Sequence, residues 1–384
     1  MKRTILFHNY FFGLGFFYYL VLPLLVVVNN WHDSISAFNI LDDYNYKRFV
    51  ILYTMTSLAI FVSFYLGSWL AYKGLPNKNP LRTEHILNTR QIKWGLFPFA
   101  LFGLTTAYIN RGSMFQGYDG GLGSDFASAL CSCLLIFTFW LIYDMISNKK
   151  LSLYIGSLTF LFVIFIIGLG TRMYVLITFL TLLQYSIEYR VIKLKKLVFI
   201  IIGFILFLLS VGLIRNGDSI EYDGLLFIGL GETMYTWLSA ESMFHYTKDL
   251  QLFYFPSGFF SAFINMIPTI LLPNKADYVN PIPLPFDNPL GAVNLIVGMV
   301  SNFGLVGSCF FSAFLGSLLS YLRKKKSVFA RTYYFCICAM IPFQLFRDGL
   351  DVVVKVALTN FFIIPLIMVW VTRHFLSKGR KYSI

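Results

Sequence analysis

The chain alternates long apolar runs with short polar connections. Ten runs are long enough to cross a bilayer as helices, which takes about 20 mostly apolar residues. They lie near 10–29, 49–72, 93–110, 126–146, 151–170, 172–189, 197–214, 291–322, 328–346 and 352–372. The first follows Met-Lys-Arg, is longer than a signal-peptide apolar region and lacks a small-x-small cleavage site. It reads as a retained first helix. Residues 215–290 depart from the pattern. They contain an amphipathic piece, 224–247, and an uncharged piece, 252–272, with Pro256 and Pro268. Pro281, Pro283, Pro285 and Pro289 then make an extended coil. If 252–272 is re-entrant or interfacial, ten spans result. If both pieces span, the count is twelve, with Glu232 and Glu241 inside the membrane. Ten spans with outer-face amphipathic or re-entrant helices is the preferred scheme. No internal repeat and no inverted pair of broken helices of the transporter kind is apparent. The pattern predicts an all-α polytopic membrane protein in three parts. Residues 1–214 carry about seven spans, 215–290 form a large periplasmic loop, and 291–384 carry about three spans and a cytoplasmic tail.

The connections also set the sidedness. With the N-terminus in the cytoplasm, 22 of the 31 Lys and Arg residues fall in cytoplasmic segments, and 15 of the 18 Asp and Glu residues fall outside. Arg323-Lys324-Lys325-Lys326 is the clearest single signal. Both termini are therefore expected inside. Composition agrees: 57% of residues are hydrophobic and 13% charged, against about 25% charged in a soluble domain. This excludes a disordered chain, a disulfide-stapled secreted domain and an ordinary cytosolic enzyme. The net charge of +13 belongs to the cytoplasmic leaflet, not to a nucleic-acid surface. The five cysteines all sit in apolar runs, the two Cys-x-Cys pairs have the wrong spacing for a zinc knuckle, and no His adjoins them. Neither a disulfide nor a metal is expected. There is no P-loop and no strand-borne Gly-x-Gly-x-x-Gly, so no nucleotide cofactor is expected.

Chemistry is therefore sought on the outer face, where the acids and a few arginines concentrate. Arg172, in Gly168-Leu169-Gly170-Thr171-Arg172, is the only charge between residues 151 and 187 and marks a tight outer hairpin. Arginine there is costly unless it meets headgroups, water or an anion. Arg215 opens the large loop. Arg347 begins Arg347-Asp348-Gly349-Leu350-Asp351; if that turn is helical, Arg347, Asp351 and Lys355 share a face. The functional reading brings Arg172, Arg215 and Arg347 onto one anionic group, since the guanidinium fork binds phosphate oxygens bidentately. A phosphate at the outer leaflet suggests a polyprenyl diphosphate, its tail between spans and its diphosphate at the interface. For a general base the candidates are Glu232, Glu241, His245, Asp348 and Asp351. Glu241 and His245 stand at i, i+4 on a predicted amphipathic helix, so the carboxylate can orient the imidazole.

The assembled pattern resembles the Wzy family of bacterial O-antigen (oligosaccharide repeat-unit) polymerases. The resemblance rests on Gly170-Thr171-Arg172 between two mid-chain spans and on the long outer loop after Arg215. Ser301-Asn302-Phe303-Gly304-Leu305-Val306-Gly307 and Phe346-Arg347-Asp348 add to it. It implies a GT-C-like, metal-independent glycosyltransferase without cofactor in the bacterial inner membrane, active on the periplasmic face. Its substrate would be undecaprenyl-diphosphate-linked oligosaccharide, passed to the non-reducing end of a new lipid-linked repeat unit. Membrane lipid, a chain-length regulator and a flippase would be its partners. Arg172, Arg215 and Arg347 match the outer-loop arginines that such enzymes use, and His245, Glu241, Glu232 and Asp348 are the catalytic candidates. An O-antigen ligase, which tends to carry a His-bearing outer loop, and a flippase for lipid-linked glycan remain as alternatives.

Overall fold

The computed structural model describes residues 5–31, 47–74, 86–113, 124–216, 227–246, 250–267, 271–278 and 293–379. For a few positions inside these helices, among them Arg215, Glu241 and His245, it describes the backbone alone. Among the described residues the structure is all helix and turn, without strands. Among the described residues seven helical stretches are long and apolar enough to cross a membrane: Phe7–Val28, Val50–Gly74, Thr89–Ile109, Ala127–Asn148, Lys195–Gly212, Leu295–Lys324 and Val328–His374. The chain has the build of a multi-pass membrane protein. The last stretch, 47 residues long, would measure about 70 Å as one helix, more than twice the hydrocarbon core. It folds back on itself. Phe329 and Phe361 both pack on Phe139, with centroids 5.1 and 6.4 Å away, and Tyr333 meets Phe362 at 5.7 Å. The uncharged loop piece forms one helix of nine residues, Ser257–Asn265. At about 14 Å that helix is shorter than the hydrocarbon core.

The contacts divide the chain into two compact units. Unit 1 comprises Met1–Asn77, Ser219–Lys324 and Met340–Lys355. It holds α1 (Phe7–Val28), α2 (Lys47–Gly74), α8 (Glu232–Tyr246), α9 (Ser257–Asn265), α10 (Leu295–Lys324) and α12 (Phe346–Val356). Its main seam joins α2 to α10. Ser308, Ser312, Gly316 and Ser320 recur every fourth residue, so they line one buried face of α10. Lipid is as apolar as a leucine face, so such helices associate through close packing of small residues and interhelical hydrogen bonds. Both occur here. A Cβ at Gly67 would overlap the Ala313 carbonyl, and one at Gly316 would overlap the Phe64 carbonyl oxygen. Ser312 donates to the Ile60 carbonyl at 2.8 Å and Ser317 to that of Gly67 at 3.0 Å. On the opposite side of α10, Phe310, Phe314, Leu318 and Tyr321 are exposed, the stripe a membrane helix offers to acyl chains. At the basic end of the seam His8, Ser68 and Ser320 hydrogen-bond one another, and buried Arg323 donates to the Ile5 carbonyl at 3.0 Å. Overpacking a tight seam costs about 1–3 kcal/mol or more, against about 0.6 kcal/mol for one interhelical hydrogen bond. Gly316→Leu should therefore destabilise the detergent-extracted protein far more than Ser312→Ala in a thermal-aggregation assay.

Unit 2 comprises Lys78–Asp218, Lys325–Ala339 and Val356–Ile384. It is built around α4 (Ser124–Asn148), whose residues 130–143 are almost all buried. Around α4 pack α3 (Thr89–Ile109), α5 (Leu153–Gly168), α6 (Arg172–Glu188) and the π-turn Ala357–Ile363. α3 opens with a capping box: Asn88 Oδ1 accepts from the Gln91 amide while Gln91 Oε1 accepts from that of Asn88, both at 2.9 Å. Buried Asp144 accepts from Thr89 at 2.8 Å and from Asn148 at 2.7 Å. Gln184 of α6 donates to the Phe335 carbonyl at 2.9 Å, on α11 (Val328–Met340), and Arg331 pairs with Glu188 at 3.3 Å. α7 (Leu194–Asn216) lies on the outside of the unit and is exposed along most of its length. The last helix is α13 (Ile364–Gly379).

Candidate functional site

The strongest concentration of charge in a packed environment lies in unit 1, where α8, the start of α10 and the beginning of α12 meet. α8 is entered through a π-turn, Phe227–Gly231. Two glycines, Gly229 and Gly231, fall within it. Tyr18 donates its hydroxyl to the Gly229 carbonyl. This places Glu232 at the first position of α8.

The counter-charge comes from a broken helix. Gly349, inside α12, has φ 78° and ψ −178°, a conformation essentially reserved for glycine. The helix that reaches Phe346 therefore cannot run on through Leu350. A Cβ on Gly349 would stand 3.2 Å from the Val293 carbonyl oxygen, so the bend is pressed against the start of α10. Asn294 caps that start: its Oδ1 accepts from the Ile296 amide at 2.8 Å. Its Nδ2 donates to Tyr53 Oη at 3.3 Å and to the Thr236 carbonyl of α8 at 3.4 Å. Just before the bend, Arg347 forms an ion pair with Glu232 and lies 3.6 Å from Asp348 Oδ1. The Arg347 side chain as a whole is 28% exposed and that of Glu232 33%. The two facing atoms, Arg347 Nε and Glu232 Oε1, are themselves buried.

Three π-turns surround this pair: Phe17–Val21 in α1, Phe227–Gly231, and Ile341–Leu345. Tyr18 meets Phe343 at 5.6 Å, and Tyr19 stacks on Phe346 at 6.2 Å within electrostatic reach of Arg347 and Asp348. π-turns are rare and occur frequently at functional sites. Asp351 Oδ1, past the bend, is buried without a hydrogen-bond partner among the described residues.

No protein-family model, no curated protein and no solved structure matches the chain. The chemistry of the site therefore rests on its own residues.

Of the residues expected from sequence, the structure brings together Arg347, Glu232 and Asp348. The expected helical row Arg347–Asp351–Lys355 does not form, because Gly349 breaks the helix between its first two members. Lys355 lies instead within electrostatic reach of Lys275. α10 is also broken, at Gly304 with φ 78° and ψ 179°. Arg172 belongs to unit 2. It opens α6 after a turn made by Gly170, with φ 73°, and its Nη1 donates to the Leu208 carbonyl of α7 at 3.5 Å. Arg215 is in the last turn of α7, with its side chain outside the described residues. Glu241 and His245 are on the C-terminal half of α8, one turn apart, and their side chains likewise lie outside the described residues. Among the described residues no group of three His, Cys, Asp or Glu side chains could hold a metal. None of the five cysteines is in a disulfide, and four are buried. Sequence reading missed Asn294 and Tyr19; it had Gly349 only as a residue that weakens a helix at 347–351. The Asp348-Gly349 dipeptide was a usable signal, because Asp-Gly marks a turn more often than a helix interior.

Proposed function

We propose that the chain is a membrane glycosyltransferase of the O-antigen polymerase type, extending a polyprenyl-diphosphate-linked glycan on the periplasmic side of the inner membrane through ten GT-C-like spans. The observation that carries this reading is the Arg347–Glu232 pair held at a helix break. It lies at the end of α10 opposite Arg323 and Lys324. α10 is broken at Gly304 between the pair and that basic end, and Leu305–Lys324 alone makes about 30 Å of helix, the thickness of the hydrocarbon core.

The pair suggests how the site would work. A diphosphate oxygen competes with the Glu232 carboxylate for the Arg347 fork, which binds phosphate bidentately. Binding the donor then frees Glu232 from its counter-charge and restores its affinity for a proton. The acceptor hydroxyl attacks the anomeric carbon and its proton passes to Glu232. The bond from that carbon to the diphosphate breaks, and the electron pair leaves with the diphosphate, whose charge Arg347 neutralises. General-base assistance contributes at most about 10²–10⁴-fold. In liposomes with purified lipid-linked repeat units, Glu232→Gln should slow elongation within that range while donor binding persists. A normal rate would move the base to Asp348 or to the candidates His245 and Glu241.

Two further measurements bear on the same reading. Arg172→Ala should abolish polymer without loss of membrane-inserted protein; wild-type polymer would end the role proposed for Arg172. Reporter fusions should place Lys150 and Lys325 in the cytoplasm and Gly120, Asp218 and Pro285 outside. A cytoplasmic signal at Pro285 would sink the topology.

The helix breaks at Gly304 and Gly349 favour a second reading, a transporter for lipid-linked glycan, since such breaks line substrate paths in transporters. Lengthening of the glycan by the purified protein supports the polymerase. Movement of the lipid-linked unit across the vesicle without lengthening supports the transporter.

A further inference from the structure

We infer that residues 250–267 lie on the membrane as an interfacial element, with the acyl–headgroup boundary of the outer leaflet as their partner surface. The inference rests on the multi-pass reading and not on glycosyl transfer. Residues 250–274 carry no charge, and Lys248, Asp249, Lys275 and Asp277 bracket them. Within the segment Leu252, Phe253, Phe255 and Phe260 are exposed, Phe255 at 78%. This surface continues the lipid-facing stripe of α10: Phe253 stacks over Phe310 at 6.4 Å, and Phe310 and Phe314 are themselves exposed.

The break in α10 holds the segment in place. At Gly304 a Cβ would stand 2.6 Å from the Leu252 carbonyl oxygen, so only glycine admits the crossing chain. The new helix start frees the amides of Leu305, Val306 and Gly307. The first donates to the Gln251 carbonyl at 3.1 Å, and the other two to that of Leu252 at 3.0 and 3.2 Å. In return the Tyr254 amide donates to the Phe303 carbonyl at 3.1 Å, and the Phe259 amide to Asn302 Oδ1 at 2.6 Å. These bonds satisfy both irregular backbones, as a low-dielectric setting demands.

The crossing also sets the depth. From Leu305 to Lys324 is about 20 residues, or about 30 Å of helix, the full hydrocarbon thickness. With Lys324 at the inner boundary, Gly304 and the docked segment stand at the outer one. An uncharged, aromatic helix of nine residues at that level lies in the interface plane.

The test uses the full-length protein in lipid vesicles. Phe255→Cys and Phe260→Cys, each with Cys309→Ser, carry an environment-sensitive fluorophore. Quenching is measured with nitroxide lipids labelled near the headgroup or near the chain end, and with aqueous iodide. The expected result is several-fold stronger quenching by the headgroup-proximal nitroxide than by either alternative. Dominant iodide quenching would overturn the proposal in favour of a water-exposed surface. Dominant quenching by the chain-end nitroxide would overturn it in favour of a deep re-entrant loop. In the same assay Asn302→Ala, which removes one anchor, should raise iodide access several-fold. Unchanged access would mean that the α10 break does not hold the segment.

Discussion

Arg347→Ala should lower glycan elongation on the order of 10²–10³-fold, the usual cost of removing a donor that stabilises developing negative charge. Donor affinity should fall as well, because the fork is lost in both ground and transition states. Arg347→Lys should recover little, since an ammonium supplies charge without the two parallel N–H donors. The substitution also leaves Glu232 without its partner, and an uncompensated shielded carboxylate can itself destabilise the protein. Arg347→Ala combined with Glu232→Gln separates the two effects. The double variant should regain thermal stability and remain inactive. Elongation at the wild-type rate in Arg347→Ala would end the diphosphate assignment. Stable, active double variants would reduce the pair to a packing feature.

Gly349→Ala should damage both stability and activity. Alanine at φ 78° and ψ −178° occupies a backbone region that costs about 1–3 kcal/mol. The added methyl also presses on the Val293 carbonyl oxygen at 3.2 Å. The chain can escape by straightening the helix through the bend. That moves Arg347 relative to Glu232 and loosens the start of α10 that Asn294 caps. Two readings are expected: a lower thermal transition, and loss of coupling between Arg347→Lys and Glu232→Gln in a double-mutant cycle. An alanine variant with normal stability and normal coupling would show that the bend does not position the arginine.

The sites themselves differ in how far they can be read from sequence. Arg347 and Glu232 stood out as charges in an apolar chain, but their pairing did not. They are more than a hundred positions apart, and only the fold-back at Gly349 and the π-turn before α8 bring them together. The sequence alternatives assigned them separate roles, diphosphate binding and catalysis, where the structure makes them one ion pair. A charge-bearing row at Arg347, Asp351 and Lys355 follows from helical spacing alone, and it fails because one glycine changes the backbone direction.

The apolar runs by themselves determined an all-helical, multi-pass protein, because a bilayer admits few other ways to satisfy a backbone over so many uncharged residues. The small residues of α10 at every fourth position likewise mark one packing face by helical period alone. Tertiary structure decided where helices break and which charges meet. A glycine at a break and a glycine at a close packing contact read alike in sequence. Gly304 and Gly349 take φ 78° at breaks faced by the Leu252 and Val293 carbonyls, whereas Gly67 and Gly316 lie where α2 and α10 pack on each other. Those contacts are long-range, and no local pattern encodes them.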